Sequence, residues 1–343
     1  MSKVYIAKVP GDGIGQSDIL EALTWLEWEK IIPSGARVFI KPNLTWPIHK
    51  PGVSTSPKAM EAVVAVLKQR TDHIIIGESE GGYHSYHTEE AFEGHGLYDI
   101  QQRYGIQLVN LSAIPSETRQ VKIGGRNTQV TLPSLLLNEV DVFITMPVPK
   151  THVMTGVSLA FKNQWGCVPS PMRLMEHHDF DRKILAINQL VKTRLVIFDG
   201  TNFLDGAGPL TGDVIPMNLV IASDDIGAGS MAVCKIMQIN PFSIRHYRLA
   251  RKQGMFPRSI DEIDLNTRIE PYQVHRFKMK RAFLDWVSLL GFNSAFFSRL
   301  FYSSATAGPL HDLLFAVRRI PLIEKFLYGP AGSPPAWKKP DHD

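Results

Sequence analysis

The 343-residue sequence predicts an α/β protein: a mostly parallel sheet flanked by helices, with a helical C-terminal extension. Three observations carry that prediction. Strand-like and helix-like segments alternate through the first two thirds of the chain. Several strand candidates are continuous apolar runs, as parallel strands covered on both faces require. The charge and the aromatic residues are unevenly shared. Residues 271–343 hold 10 Lys+Arg against 5 Asp+Glu, a surplus of +5, and 13 of the 32 aromatic residues. Residues 1–270 carry 27 − 28 = −1, so the net +4 divides into a near-neutral body and a basic, aromatic extension.

In chain order, strands are expected over residues 4–9, 37–40, 73–76, 107–111, 140–146, 195–198 and 219–221. Helices are expected over 17–29, 57–69, 89–104, 183–191 and 229–238. Gly11-Asp12-Gly13-Ile14-Gly15 reads as a glycine-rich strand-to-helix turn, without the spacing of a dinucleotide fingerprint. Ser54-Thr55-Ser56 supplies a cap before Pro57, which suits a first helical turn. Gly124-Gly125 marks a hairpin over 122–130. Gly77-Glu78-Ser79-Glu80-Gly81 matches a nucleophile elbow in form. The helix an elbow enters at once is displaced by Gly82-Tyr83-His84-Ser85-Tyr86-His87, so Ser79 is not read as a nucleophile.

The domain reading is a catalytic body over 1–270, as one unit or two lobes, and an extension over 271–343. Two distant cysteines, Cys167 and Cys234, make no disulfide framework and fit a reducing, cytoplasmic compartment. The chain starts directly on a strand-like run, so no signal peptide is expected, and no apolar run is long enough to span a bilayer.

In a parallel sheet the strand ends share one rim, and ligands bind there. Polar chemistry follows four of the strands: Lys41-Pro42-Asn43; Glu78-x-Glu80 with His84 and His87; Lys150-Thr151-His152 with Lys162-Asn163; and Asp199-Gly200 with Asp205. Lys150 and Lys162 can hold a carboxylate or phosphate, with Lys41, Asn43 and Asn163 as further anion or cofactor holders. His84 and His152 can move protons near neutral pH. His177, His178, His87, Glu78 and Glu80 form a candidate set for a divalent metal, while Asp199 can orient a histidine or simply close an Asx turn with Gly200. Blander readings stand beside these: a solvated loop for Glu78 and Glu80, a helix end for Lys162-Asn163, a polar linker for His177-His178.

Lys41-Pro42-Asn43, Lys150-Thr151-His152, Lys162-Asn163 with Gly166, His177 or His178, Asp199-Gly200 and Gly206-x-Gly208-Pro209 with Gly212 together resemble the Domain of Unknown Function 362 family over about residues 38–254. A more distant resemblance is to the nickel-pincer lactate racemases, through the loop from His84 to Glu90, then His152, Gly156, Lys162 and His177 or His178. It implies acid/base roles for His84 and His152, a cofactor position at Lys162, a nickel-binding position at His178 or His177, and a nickel-pincer-type nucleotide as cofactor.

The expected function is therefore an isomerase- or epimerase-type enzyme acting by acid–base or hydride chemistry at a hydroxyl-bearing carbon of a small anionic substrate. The alternative is a non-catalytic, membrane-peripheral accessory protein that binds an anionic small molecule or metal cofactor. Residues 271–343 interleave Lys and Arg with Phe, Trp and Leu, a pattern that suits an anionic membrane surface, packing on the body or a homo-oligomer contact. The near-neutral body speaks against nucleic acid as a partner.

Overall fold

A computed structural model describes residues 1–281 together with Leu289, Ser294 and Phe296. Twelve strands are present among them: β1 (Ser2–Lys8), β2 (Val38–Pro42), β3 (Ile74–Glu78), β4 (Gln107–Asn110), β5 (Ser116–Ile123), β6 (Arg126–Pro133), β7 (Val142–Met146), β8 (Lys150–His152), β9 (Gly156–Ser158), β10 (Thr193–Asp205), β11 (Asp213–Ser223) and β12 (Ile263–Leu265). The main sheet runs β12-β1-β11-β10-β7-β2-β3-β4, with β8 attached to β10 and β9 to β8. Pairings along β10-β7-β2-β3-β4 are parallel. Only β11 runs against its neighbours along the main path, pairing antiparallel with β1 and β10. β5 and β6 form the expected hairpin as a separate two-stranded sheet, closed by Gly124 and Gly125 at positive φ.

The apolar runs form strands because both sheet faces are covered. Val38 and Ile40 enter one core with the helices Gln16–Trp25, Pro57–Leu67 and Leu97–Tyr104, while Phe39 points to the other core with Phe180–Leu190, Ile226–Ile236 and Arg245–Lys252. The helix at Pro57 begins as expected: the Ser56 side chain accepts from the Ala59 N–H and Pro57 fills the first turn. The helix expected over 89–104 is two helices, Thr88–Gly94 and Leu97–Tyr104, parted at Gly96 in the left-handed region. A side chain at Gly94 would collide with the Pro47 carbonyl, which a Cβ would approach to 2.1 Å.

The chain order explains where a ligand belongs. From β2 the chain builds outward through β3 and β4, then returns to the other side of β2 with β7 and β10. The order reverses between β2 and β7, a switch point that opens a crevice at the strand C-termini. The helices expected in the extension lie outside the described residues. Its first part, 271–281, packs on the body: Phe277 is buried 5.6 Å from the Phe203 ring, and Asp205 accepts from the Lys278 N–H at 2.8 Å and lies 2.8 Å from His275 Nε2.

Candidate functional site

The switch point is filled first by a buried polar knot. Lys41, at the end of β2, places its ammonium 2.5 Å from Glu78 Oε2 at the end of β3, with both side chains almost sealed. Glu78 Oε2 also accepts from the Leu44 N–H at 3.2 Å, and its Oε1 accepts from the Ser79 N–H at 3.1 Å. The Asn163 amide donates to the Lys41 carbonyl at 3.0 Å and to Thr145 Oγ1 at 2.9 Å. Asn43 exchanges bonds with Thr55, whose hydroxyl in turn donates to the Met146 carbonyl. Lys41, Asn43 and Asn163, read from sequence as cofactor holders, thus spend these polar atoms tying β2, β3 and β7 together.

Beside this knot lies a cluster of cations. Lys150 and His152 alternate onto the same face of the short strand β8, which hangs on β10 through the Lys150–Leu204 pairing. Lys150 is almost fully buried and donates to the Val53 carbonyl. Burial pushes its pKa well below the ordinary lysine value, and the Lys162 charge adds to that. Lys162, on the short helix Ala160–Asn163, lies 5.8 Å from the centre of the Phe180 ring. Burial, and then the neighbouring Arg173 charge, bring it down to about 8. His152 is held neutral by burial first, then by Lys162, Lys150, His177 and His246. His177, its ring tilted against Phe180 at 4.5 Å and Trp165 at 5.7 Å, is lowered by burial and by Lys162 and Arg173 to about 3. The influences on the two lysines are burial and other cations, with no acid among them.

His152 has a defined tautomer. Its Nδ1 accepts from the Met154 N–H at 3.1 Å and the Thr155 N–H at 3.4 Å, so the neutral ring carries its proton on Nε2. The turn that supplies those two N–H groups closes on Gly156, which pairs with His152 at φ +82°. A cavity of about 460 Å³ adjoins the cluster, with His177, Phe180 and Thr155 in its wall. Arg182, Arg245, Arg248, Lys252 and Arg281 stand against Asp179 and Asp181 around it, a balance of 5 − 2 = +3. That size suits a small molecule, and that charge suits an anion.

The other predicted residues are placed as follows. His84 is exposed at φ +53°, on a loop tied to the turn before Arg173 by the Tyr83 N–H bond to the Pro171 carbonyl at 2.7 Å. Glu80 accepts from the Asn110 amide at 2.8 Å and lies 3.3 Å from His87 Nδ1. His178 is exposed, its Nδ1 3.1 Å from the Met175 carbonyl. The candidate metal set is therefore dispersed: Glu78 pairs with Lys41, Glu80 with Asn110 and His87, and His177 with aromatic rings. Among the described residues no three His, Cys, Asp or Glu side chains are grouped to hold a metal ion. Asp199 closes the Asx turn instead, accepting from the Thr201 N–H at 3.2 Å, and accepts from the Ser56 N–H at 2.7 Å. Ser79 is buried, and a loop rather than an α-helix follows it. Arg173 and His246 were not expected at the site. In the sequence they look like ordinary members of basic surface stretches, and only packing buries His246 and turns Arg173 inward.

No helix among the described residues is long and apolar enough to cross a membrane. A thylakoid-associated protein of Synechocystis sp. is 25% identical over 241 residues, 66% of this chain and 70% of that one. Two solved structures align with part of the chain. The lactate racemase apoprotein of Thermoanaerobacterium thermosaccharolyticum has a TM-score of 0.45 and 13% identity, covering 69% of this chain and 57% of its own. A structural-genomics protein from Thermotoga maritima has a TM-score of 0.38 and 16% identity, covering 61% and 55%. Residues 38–235, which hold the knot and the greater part of the cation cluster, match the profile of the domain of unknown function DUF362, and the chain belongs to that family.

Proposed function

We propose that the protein is an isomerase-type enzyme that binds a small anionic substrate at the Lys150–His152–Lys162 cluster and carries out acid–base chemistry at a hydroxyl-bearing carbon. One observation carries this reading: buried Lys150, half-buried Lys162 and buried, neutral His152 lie within electrostatic range of one another, and no acid is among the influences on the two lysines. Burial and mutual repulsion disfavour the charged forms of these groups, and a bound anion offsets that cost. An anion supplies the missing charge.

The chemistry follows from the protonation states. Lys162, at about 8, exists partly as free amine near neutrality and can accept a proton. His152 presents Nε2–H and donates to a substrate oxygen as charge develops there. Exposed His84, on the neighbouring loop, would exchange the proton with solvent. The test is deuterium exchange at the hydroxyl-bearing carbon of small hydroxy acids in D2O, followed by NMR. Lys162→Met and His152→Phe are expected to slow exchange by about 100-fold or more. Absence of exchange in the wild-type protein, or wild-type rates in Lys162→Met, would overturn the catalytic reading.

A second reading, peripheral attachment to an anionic membrane, is supported by the helix Arg245–Lys252. It buries His246, Tyr247 and Ala250 and exposes Arg245, Arg248, Arg251 and Lys252. The thylakoid-associated relative is in keeping with it.

A further inference from the structure

Asp199 belongs to a different cavity from the one bounded by His177 and Phe180. This second cavity, of about 410 Å³, lies on the same strand-end rim, where the turn after β1, the loop after β2 and the middle of β10 meet. Its wall includes Gly13, His49, Ser54, Ser56, Asp199, Thr201 and Asn202.

Four features show what the cavity can hold. Asp199 is buried, and its two oxygens accept one backbone N–H each, from Ser56 and Thr201. A carboxylate has about four acceptor positions, so it can take further donors. Ser56 caps the helix Pro57–Leu67, so the carboxylate already answers the positive end of that helix, and the ligand need not be a cation. Thr201 sits at a register shift between Gly200 and Asn202, and its sealed Oγ1 has no hydrogen-bond partner. Bulges of this kind re-aim a side chain, and a buried hydroxyl without a partner calls for one. His49 is held toward its neutral form by burial, although the Asp199 charge pulls the other way; Ser54 Oγ lies 3.4 Å from its Nδ1. At the mouth, Lys58 and Asp12 form an ion pair at 2.5 Å, and their charges cancel.

This wall is the electrostatic opposite of the lysine cluster. It presents one buried acid, neutral hydroxyl, amide and imidazole groups, and backbone beside Gly13, where a Cβ would find no atom nearer than 3.6 Å. We propose that it is a second binding site, for a small neutral molecule bearing adjacent hydroxyl groups, of the kind found in a pentose or other polyol. Two neighbouring hydroxyls donate to the free positions of Asp199, while Thr201, Asn202 and His49 complete the ring of partners. An anionic ligand would meet Asp199 and be repelled, so the two cavities select different chemistry.

D-Ribose is the probe. Histidine side-chain NMR of the full chain, titrated with ribose, is expected to show saturable shifts of the His49 ring. Orthophosphate is expected to move His152 and His177 instead. Thr201→Val, which removes a hydroxyl that makes no internal bond, is expected to weaken ribose at least about fivefold, the effect of losing a buried hydrogen-bond partner. Asp199→Asn is expected to weaken it further if the variant folds, as circular dichroism will show; if it does not fold, Thr201→Val decides. No saturable His49 shift with ribose, or equal affinity in wild type and Thr201→Val, overturns the proposal. Neither result depends on the isomerase reading.

Discussion

Lys41 Nζ stands 2.5 Å from Glu78 Oε2 at the point where the strand order of the sheet reverses, and neither side chain reaches solvent to any extent. The pair joins the ends of adjacent parallel strands β2 and β3, and Asn163 clamps the same turn from the Lys41 carbonyl. Removing one member leaves a buried, uncompensated charge, which costs about 3–5 kcal/mol. Replacing both by apolar groups removes the desolvation penalty together with the attraction. Lys41→Met and Glu78→Leu are each expected to lower the urea unfolding free energy by that amount, and the double variant to recover most of it. Additive losses in this double-mutant cycle would show that the two residues act on something other than each other.

Gly166 owes its identity to that pair. A Cβ there would lie 2.5 Å from Glu78 Oε1 and 2.8 Å from Lys41 Nζ. Both atoms are held by other partners, so the ion pair must part or the segment must shift. Gly166→Ala is expected to destabilise by about 1–3 kcal/mol, the usual cost of overpacking. Placed on a Glu78→Leu background it should cost measurably less. An unaltered denaturation midpoint for Gly166→Ala would contradict the close approach.

Lys162 sets a pH dependence whose sign can be worked out. Its folded pKa, about 8, lies below the ordinary 10.5. Between these values the unfolded chain holds more protons than the folded one, so the Lys162 contribution to stability rises with pH from about 8 to 10.5. Anion binding runs the other way: affinity for orthophosphate falls as pH climbs past about 8 and the ammonium is lost. His152 and His177, both lowered, are neutral in the folded chain while the unfolded chain still takes up protons near the ordinary 6.5, so they add a slope of the same sign up to about pH 7 and none in the window of Lys162. Urea midpoints and phosphate titrations against pH, each compared with Lys162→Met, isolate the effect. Parallel profiles in the two proteins would remove Lys162 from both roles.

The residues differ in how far their placement was legible beforehand. β2, β3, β7 and the first part of β10 are runs such as Val38-Phe39-Ile40 that feed both cores, and no polar residue competes with that reading. β8 and β9 are three-residue strands, Lys-Thr-His and Gly-Val-Ser, with no apolar periodicity; only pairing with each other and with β10 makes them strands. The extension of β10 to Asp205 was hidden for a related reason, since Asp199-Gly200 looks like a stop until β11 pairs across the irregularity. Lys150, His152 and Lys162 were recognisable by type, and the structure brings them together. That Lys41 and Asn163 tie the scaffold depends on which backbone carbonyls come within reach of their side chains, while Asn43 contributes backbone bonds to Thr55. His49 carried no signal at all, because Asp199, the acid whose charge acts on it, lies 150 residues away in sequence.

The helix Arg245–Lys252 makes a last prediction about where the protein sits. Its buried side rests on the core through Tyr247, whose ring stacks 4.6 Å from Phe256, so the helix is firmly oriented. Its outer side holds Arg245, Arg248, Arg251 and Lys252, and the cavity wall brings Arg281 of the basic extension into the same neighbourhood. Each cation close to an anionic bilayer contributes about 1 kcal/mol, and the attraction decays within a Debye length, about 8 Å at physiological salt. Full-length protein is expected to float with vesicles containing phosphatidylserine, to detach as salt is raised, and to ignore purely zwitterionic vesicles. Changing the four helix cations to Gln is expected to weaken binding by at least about tenfold, while the urea midpoint stays close to wild type because these side chains are exposed. Undiminished flotation of that variant would assign membrane attraction to residues 271–343 alone. Equal binding to zwitterionic and anionic vesicles would mean that charge is not the attraction.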